Sequence, residues 1–305
     1  MSQTQPTRAT PDSPYRVHGD YSLLEAQEYC ARLARSHYEN FLVATVFVPR
    51  RLRQHFYNVY AYCRIADDLG DESGDPAAAL RLLDWWEEEL RLCFEGSPRH
   101  PVFVALAETN AEFAIPMEPY ADLLRAFRQD QTTTRYAAYE ELLGYCRYSA
   151  NPVGRLVLAL CGYTDTARQE LSDRTCTALQ LANFWQDVVR DFAIGRIYLP
   201  LEDMRSFGVT EEQIATRRFD AAFRDLMRFE CERAYALFEA GRPLVGMVDR
   251  RLRLDIEMFT RGGLEVLRRI EAQGYDVLTR RPAIPKRRQV AMLAGRALAG
   301  LVGGR

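Results

Sequence analysis

An all-α fold is predicted for this 305-residue chain by three features. Apolar residues recur at three- and four-residue spacings along most of its length, Gly and Pro fall between those stretches, and strand-like alternation is nearly absent. Residues 1–20 are polar and proline-bearing and read as a disordered N-terminal arm. A first amphipathic stretch spans about 22–38, with Ser22 and Glu25 at capping-box spacing. Pro49 is placed to start a second helix, which runs to the acidic cluster ending at Glu72 and is broken by Ser73-Gly74-Asp75-Pro76. Helical patterns follow at about 77–95, 99–114, 117–129, 139–147, 151–162 and 167–193. After a loop around Gly195–Gly208 come long stretches at about 211–240 and 244–273, then a last one from about 285. The short run 196–199 is the one strand candidate. No repeat and no linker-like composition break appears, so residues 21–305 are expected to form one domain.

Composition narrows the function classes. Apolar residues at 48% and charged residues at 27% fit a globular chain with a sizeable core, not a disordered one. The 40 basic and 42 acidic residues leave a net charge of −2, which argues against a general nucleic-acid binder. Lys286 is the only lysine, so arginine supplies the remaining positive charge, a side chain suited to bidentate phosphate contacts. Seven scattered cysteines without a CxxC pair suggest reduced thiols in helices. The four histidines are spread out and suggest neither a metal site nor a triad. No secretory signal and no transmembrane-length apolar run is visible, which makes the cytoplasm the expected compartment.

Two acidic clusters carry the chemistry. In Ala66-Asp67-Asp68-Leu69-Gly70-Asp71-Glu72, the carboxylates of Asp67 and Asp71 stack on one helix face, and those of Asp68 and Glu72 lie about 100° round. In Asn183-Phe184-Trp185-Gln186-Asp187-Val188-Val189-Arg190-Asp191, the residues Asn183, Asp187 and Asp191 form one stripe, extended a turn upward by Gln180. Leu179, Leu181, Ala182, Phe184, Trp185, Val188 and Val189 make the rest of that helix apolar, so it is expected to be buried, with Asp187 and Asp191 inside the protein. Buried carboxylates cost several kcal/mol unless a cation or hydrogen bonds compensate. Carboxylates with an Asn carbonyl suit Mg²⁺, which takes few protein ligands and keeps waters and substrate phosphates. Two facing acidic helices would hold Mg²⁺ between themselves and a diphosphate. The alternative is that both clusters are solvated faces, or that their acids pair with arginines.

Four segments occur in a telling order: Tyr60-Ala61-Tyr62-Cys63-Arg64-Ile65-Ala66-Asp67-Asp68-Leu69-Gly70-Asp71-Glu72; Tyr145-Cys146-Arg147-Tyr148-Ser149-Ala150-Asn151-Pro152-Val153-Gly154; Ala178 through Asp191; and Gly195-Arg196-Ile197-Tyr198-Leu199-Pro200. Together they resemble the squalene/phytoene synthase family, head-to-head prenyl transferases of the isoprenoid-synthase fold, over roughly residues 20–290. Within it, His37-Tyr38-Glu39-Asn40-Phe41, Ser149-Ala150-Asn151-Pro152 and Asn183-Phe184-Trp185-Gln186-Asp187 look most like the hydroxysqualene synthases of bacterial hopanoid pathways. The resemblance implies a single helical bundle around a central cavity. It implies presqualene diphosphate as substrate, ionised with two or three Mg²⁺ ions and quenched by water to hydroxysqualene and diphosphate. Related enzymes make presqualene diphosphate, squalene or phytoene from two prenyl diphosphates. Some relatives have lost their acids, so a non-catalytic assembly factor is a further alternative.

By the same resemblance, Asp67, Asp71, Asn183, Asp187 and Asp191 match the metal-binding motifs. Arg64, Arg196 and Tyr198 match groups near the diphosphate, and Lys286 and Arg287 align with basic residues there. Tyr60 and Tyr145 match tyrosines lining the reaction cavity, and Gln180 a polar position beside the second motif. Phe41 and Phe184, with those tyrosines, are candidates for stabilising a carbocation through their ring faces, or are ordinary core.

The departures point to one diphosphate rather than two. Tyr38 and Asn40 stand where many relatives place small hydroxyl residues, and Gln186 replaces an arginine. Asn151 replaces a glycine; it either positions the quenching water or starts a helix beside Pro152. No Gly-rich nucleotide loop is present, so NADPH is not expected. The tail 286–305 combines Lys286, Arg287 and Arg288 with Val290, Met292, Leu293, Leu298 and Leu301. It reads either as a closing core helix or as an anchor at the inner membrane face. Pathway enzymes are further candidate partners.

Overall fold

In the computed structural model the protein is described over residues 15–17, 19–36, 49–71 and 74–283. The described residues form helices joined by short turns, with no strand among them: α1 (Leu23–Ser36), α2 (Arg50–Asp71), α3 (Pro76–Phe94), α4 (Pro101–Phe113), α5 (Glu118–Gln129), α6 (Tyr139–Ser149), α7 (Asn151–Leu160), α8 (Thr166–Ala193), α9 (Leu201–Phe207), α10 (Glu211–Ala215), α11 (Ala221–Gly241), a 3₁₀ turn (Arg242–Gly246) and α12 (Arg250–Ala272). The all-α expectation holds. Two compact units are present, the first containing the described residues of 1–41 and 50–132, the second those of 42–49 and 133–305.

Local chemistry sets the helix ends. The Ser22–Glu25 capping box is present, with the Ser22 N–H donating to Glu25 Oε2 at 2.9 Å and the Glu25 N–H to Ser22 Oγ at 3.4 Å. Asp75 caps α3 and Pro76 follows it; His100 caps α4 and Pro101 follows it. Asp165, Asp220 and Asp249 each accept amide hydrogen bonds at the starts of α8, α11 and α12. Such caps satisfy donors that the first turn leaves orphaned.

Three expectations need correction. The stretch read as one helix over 211–240 is two, because Arg217 at φ 54° turns the chain and Asp220 restarts it as a cap. The loop expected around 195–208 contains α9, closed by Gly208 at φ 71°. The strand candidate 196–199 is not a strand. The Ile197 N–H meets Thr134 O and the Leu201 N–H meets Tyr136 O, a spacing of four against two that no ladder can continue. The last helix expected from about 285 and the tail beyond it lie outside the described residues, as does the start of the arm.

In the first unit α2 is the hub, packed against α1, α3, α4 and α5. Its Tyr62 is fully buried, stands against Trp86, Phe103 and Tyr120 with centroids 5.0–5.9 Å away, and donates its hydroxyl to Tyr120 O at 2.8 Å. In the second unit α8 is the hub, contacted by α6, α7, α10, α11 and α12. Two of those helices approach it through glycine. A Cβ on Gly154 would lie 2.4 Å from Ser172 Oγ, and one on Gly241 2.3 Å from Thr175 Oγ1 and 3.0 Å from Leu171 O. Among the described residues no helix is long and apolar enough to cross a membrane. All seven cysteines are unbonded.

A buried acid pair marks the second unit. Glu230 on α11 is 0% exposed. Arg233 donates to Asp203 Oδ2 at 2.5 Å and lies 3.4 Å from Glu230 Oε1, and its guanidinium sits 4.1 Å over the rings of Tyr139 and Phe229. One cation thus serves two carboxylates. Burial, opposed by Arg233 and reinforced by Asp203, pushes Glu230 up to about 8. A folded-state value above the unfolded one gives stability that is complete below the unfolded value and lost as pH rises through the folded one, here between 4.5 and about 8. Glu230→Gln keeps a donor and cannot ionise. Its melting temperature is expected to match wild type near pH 5 and exceed it by several degrees at pH 9, since about 1 kcal/mol corresponds to roughly 2–4 °C at such sizes. Parallel pH profiles from differential scanning calorimetry would contradict this.

Candidate functional site

Helix α2 is packed on all sides but one. From His55 to its end every residue is buried except Tyr60, Cys63, Arg64, Asp67 and Asp71, which fall at the three- and four-residue steps of a single stripe. Four of the five are residues singled out from sequence. Arg64 is anchored by Asp68, the Nε donating to Oδ2 at 3.1 Å and Nη2 donating to Oδ1. Its Nη1 lies 3.6 Å from Asp67 Oδ2. Burial alone would lower Arg64, but the hydrogen bonds to Asp68 and the charges of Asp68 and Asp67 outweigh it, so its guanidinium is held above its ordinary value. Asp68 is only 4% exposed, whereas the Asp67 side chain is 44% exposed. The two acids that neighbour each other in sequence therefore differ in role: Asp68 holds the arginine, while Asp67 and Asp71 lie along the open face.

Helix α8 repeats the design. Between Thr177 and Val189 the chain is buried except at Leu179, Gln180, Asn183, Asp187 and Val189. Gln180, Asn183, Asp187 and Asp191 lie along one stripe. The apolar helix is buried as expected, but the polar stripe is its opening. Asn183 is exposed, the Asp187 side chain is 23% exposed and Asp191 is half-buried. The expectation that these acids lie inside the protein is corrected accordingly, because the packed helices cover only the apolar part of the circumference.

Asp187 sits in an arginine fork that the sequence did not single out. Arg281 Nε donates to Oδ1 at 2.5 Å and Nη2 to Oδ2 at 2.9 Å. The same Nη2 lies 3.1 Å from Gln186 Oε1, while Gln186 Nε2 donates to Pro282 O at 2.7 Å. Gln186 thus clamps the segment that brings Arg281 to Asp187. Nothing in the sequence separates Arg281 from the other arginines, since a contact spanning 94 residues leaves no local pattern. The arginine-pairing alternative accordingly applies to Asp67, Asp68 and Asp187. Burial first, and the Asp187 charge second, push Asp191 up to about 7 against the pull of Arg196, Arg190 and Arg281.

Aromatic residues gather beside this stripe. Phe184 stacks on Tyr198 with centroids 3.7 Å apart and planes 9° apart. Tyr145 lies 6.0 Å from Tyr198 and 6.2 Å from Phe184. Tyr136, absent from the sequence candidates, completes the group 5.5 Å from Tyr145 and 5.9 Å from Tyr198. All four are buried. Asn151 is buried at the start of α7, and its Oδ1 accepts from Thr177 Oγ1 at 2.9 Å. Arg196 folds back through its N–H onto Asp191 O at 2.8 Å. Phe41, Lys286 and Arg287 lie outside the described residues.

Each stripe offers oxygen donors of the kind Mg²⁺ takes. Among the described residues no three His, Cys, Asp or Glu side chains converge as a ready-made cage.

Comparison with known proteins places these features. Residues 34–288 match the squalene/phytoene synthase family. The chain is 32% identical over 288 residues to 15-cis-phytoene synthase of Synechocystis, covering 89% of this chain and 84% of that protein. It is 31% identical over 277 residues to phytoene synthase of Arthrospira platensis, covering 86% and 89%. Among solved structures, squalene synthase HpnC from Alicyclobacillus acidocaldarius aligns with a TM-score of 0.79 and 50% identity, covering 83% of this chain and 95% of that one. A dehydrosqualene synthase aligns at 0.80 and 27%, covering 90% and 96%.

The Arg281 fork makes a titration prediction. Arg281→Gln removes a positive charge that lowers Asp191, so the Asp191 carboxyl transition is expected to move further up. Carboxyl ¹³C shifts followed from pH 4 to 9 without added metal report it; an unmoved transition would refute the charge coupling.

Proposed function

Because the chain belongs to the squalene/phytoene synthase family, whose members act on prenyl diphosphates, we propose that it converts presqualene diphosphate and water into hydroxysqualene and diphosphate. The observation that carries this reading is the 50% identity to a bacterial squalene synthase across 95% of that chain. The hydroxysqualene-synthase-like residues at 37–41, 149–152 and 183–187 give it direction. Replacement of expected diphosphate-holding groups at Tyr38, Asn40 and Gln186 supports one bound diphosphate rather than a donor and an acceptor.

In the first unit Asp67 and Asp71, and in the second Asn183, Asp187 and Asp191, would hold Mg²⁺ through oxygen atoms, and the bound ions would neutralise charge developing on the leaving diphosphate. Arg64, fixed by Asp68, presents a donor edge beside Asp67, suited to a phosphate oxygen. Arg196, next to Asp191, adds positive charge. The stacked faces of Tyr145, Phe184 and Tyr198 are apolar and rich in π density, which favours an adjacent cation by about 0.5–2 kcal/mol per contact and offers no nucleophile. Water must reach the cation late. Asn151, polar and buried with its Oδ1 engaged by Thr177, retains an amide N–H₂ able to orient it. Neither NADPH nor a nucleic acid enters this scheme. Contact with the inner membrane face through the tail, and with pathway enzymes, belongs to the same proposal, since a C30 hydrocarbon has little solubility in the cytoplasm.

A head-to-head condensation of two prenyl diphosphates is the second reading, favoured by the phytoene synthases among the relatives. A non-catalytic assembly role is opposed by the retained acids. Purified protein with Mg²⁺ is expected to yield hydroxysqualene from presqualene diphosphate, with or without NADPH, and nothing from farnesyl or geranylgeranyl diphosphate alone. Presqualene diphosphate or phytoene formed from those precursors would overturn the first reading in favour of the second. Asp187→Asn is expected to lower turnover by about 10²–10³-fold, the scale on which single electrostatic contacts act in a transition state.

A further inference from the structure

The segment 15–17 is tied into the first unit at three points, one of them on α2 beside its acidic stripe. His100 is fully buried, and its Nδ1 accepts the Val102 N–H at 3.2 Å while capping α4. The ring proton is therefore on Nε2, which donates to Tyr15 O at 2.9 Å. Arg16 lies over the Trp85 ring, 5.4 Å from its centroid. Held in this way, Tyr15 donates its hydroxyl to Asp68 Oδ2 at 2.5 Å across 53 residues of sequence. That oxygen also receives Arg64 Nε, and Oδ1 receives Nη2.

We propose that Tyr15 is a positioning residue for diphosphate binding: through Asp68 it fixes the guanidinium plane of Arg64, so that the Nη1 edge beside Asp67 is presented ready-made. The inference rests on the reading that Arg64 grips a diphosphate. Asp68 is almost wholly removed from water, so its orientation depends on the donors around it. Without the Tyr15 hydroxyl the carboxylate keeps Arg64 but loses a donor from another segment that resists their turning together. A rigid fork loses less entropy on binding a phosphate than one that must first be ordered. The contact is near-terminal and formed by an aromatic hydroxyl, so it can be removed with one atom.

The test is a double-mutant cycle on the full chain, with affinity for inorganic diphosphate in excess Mg²⁺ measured by titration calorimetry. Tyr15→Phe is expected to weaken binding by about tenfold. In an Arg64→Gln background the same change is expected to matter less than twofold, because the group being positioned is gone. A merely structural Tyr15 would cost the same factor in both backgrounds, and that result overturns the proposal, as does wild-type affinity in Tyr15→Phe. Should Tyr15→Phe fold poorly, His100→Gln, which retains a side-chain N–H toward the Tyr15 carbonyl, serves as the second variant, with a smaller loss expected in the Arg64 background only. Wild-type protein that binds Mg²⁺–diphosphate but leaves presqualene diphosphate intact would refute the proposed reaction and leave this inference standing. Wild-type protein that binds no diphosphate would sink both.

Discussion

A helix packed on most of its circumference can present polar groups only along the strip its neighbours leave open, and that constraint organises both units. The α2 and α8 helices are the hubs of their units, so each must be apolar nearly all round to be held in place. The cost of placing carboxylates on such helices is high, because neighbouring apolar side chains strip water from them. It is limited by confining the acids to one stripe, Asp67 and Asp71 on one helix and Asp187 and Asp191 on the other. What a mobile surface helix would present as a blur of rotamers is here set on a rigid rod. The same packing that makes the acids expensive makes them well placed.

The residual charge is handled unequally, and the inequality has chemical content. Asp68, the most buried of the acids in its cluster, is covered by Arg64 and Tyr15 and is in effect the arginine's mounting. Asp187 is covered by Arg281 from a distant segment. Asp191 is pushed up to about 7 by burial and then by Asp187, against the attraction of three arginines. A site in which every carboxylate were fully paired would hold its charge tightly and have little affinity left for an incoming cation. One in which none were paired would protonate or unfold. Within each unit the arrangement lies between: Arg64 holds Asp68 in the first and Arg281 holds Asp187 in the second.

Much of this was legible in the sequence because it is local. Stripes at four-residue steps, caps such as Ser22 and Asp75, and the prolines after them are one-dimensional patterns that helical geometry converts directly into faces and ends. What was not legible is what depends on distant partners. The helix α9 is short and lies in a segment that reads as loop, since seven residues carry too few turns to show a period. The break after α10 arises from a single left-handed residue, Arg217, a conformation that its type does not advertise. The exposure of Asn183 and Asp187 depended on which side of α8 its neighbours left uncovered. The roles of Tyr15, Tyr136 and Arg281 came from contacts across tens of residues, for which composition offers no signal in a chain this rich in arginine and tyrosine.

The replacement at Gln186 shows how these strands join. An arginine at that position would place a cation immediately beside Asp187 on the same helix. Here the amide instead spends its N–H on Pro282 O and offers its carbonyl oxygen to Arg281, so the positive charge beside Asp187 comes from another segment. A guanidinium anchored on the helix itself is fixed there, whereas one delivered by a separate segment can leave with it. Exchange of the Asp187 partner from Arg281 to a divalent ion then needs displacement of one side chain, not repacking of α8. The amide that holds Pro282 and touches Arg281 is in this way also the feature that keeps Asp187 neutralised by a guanidinium from outside its own helix.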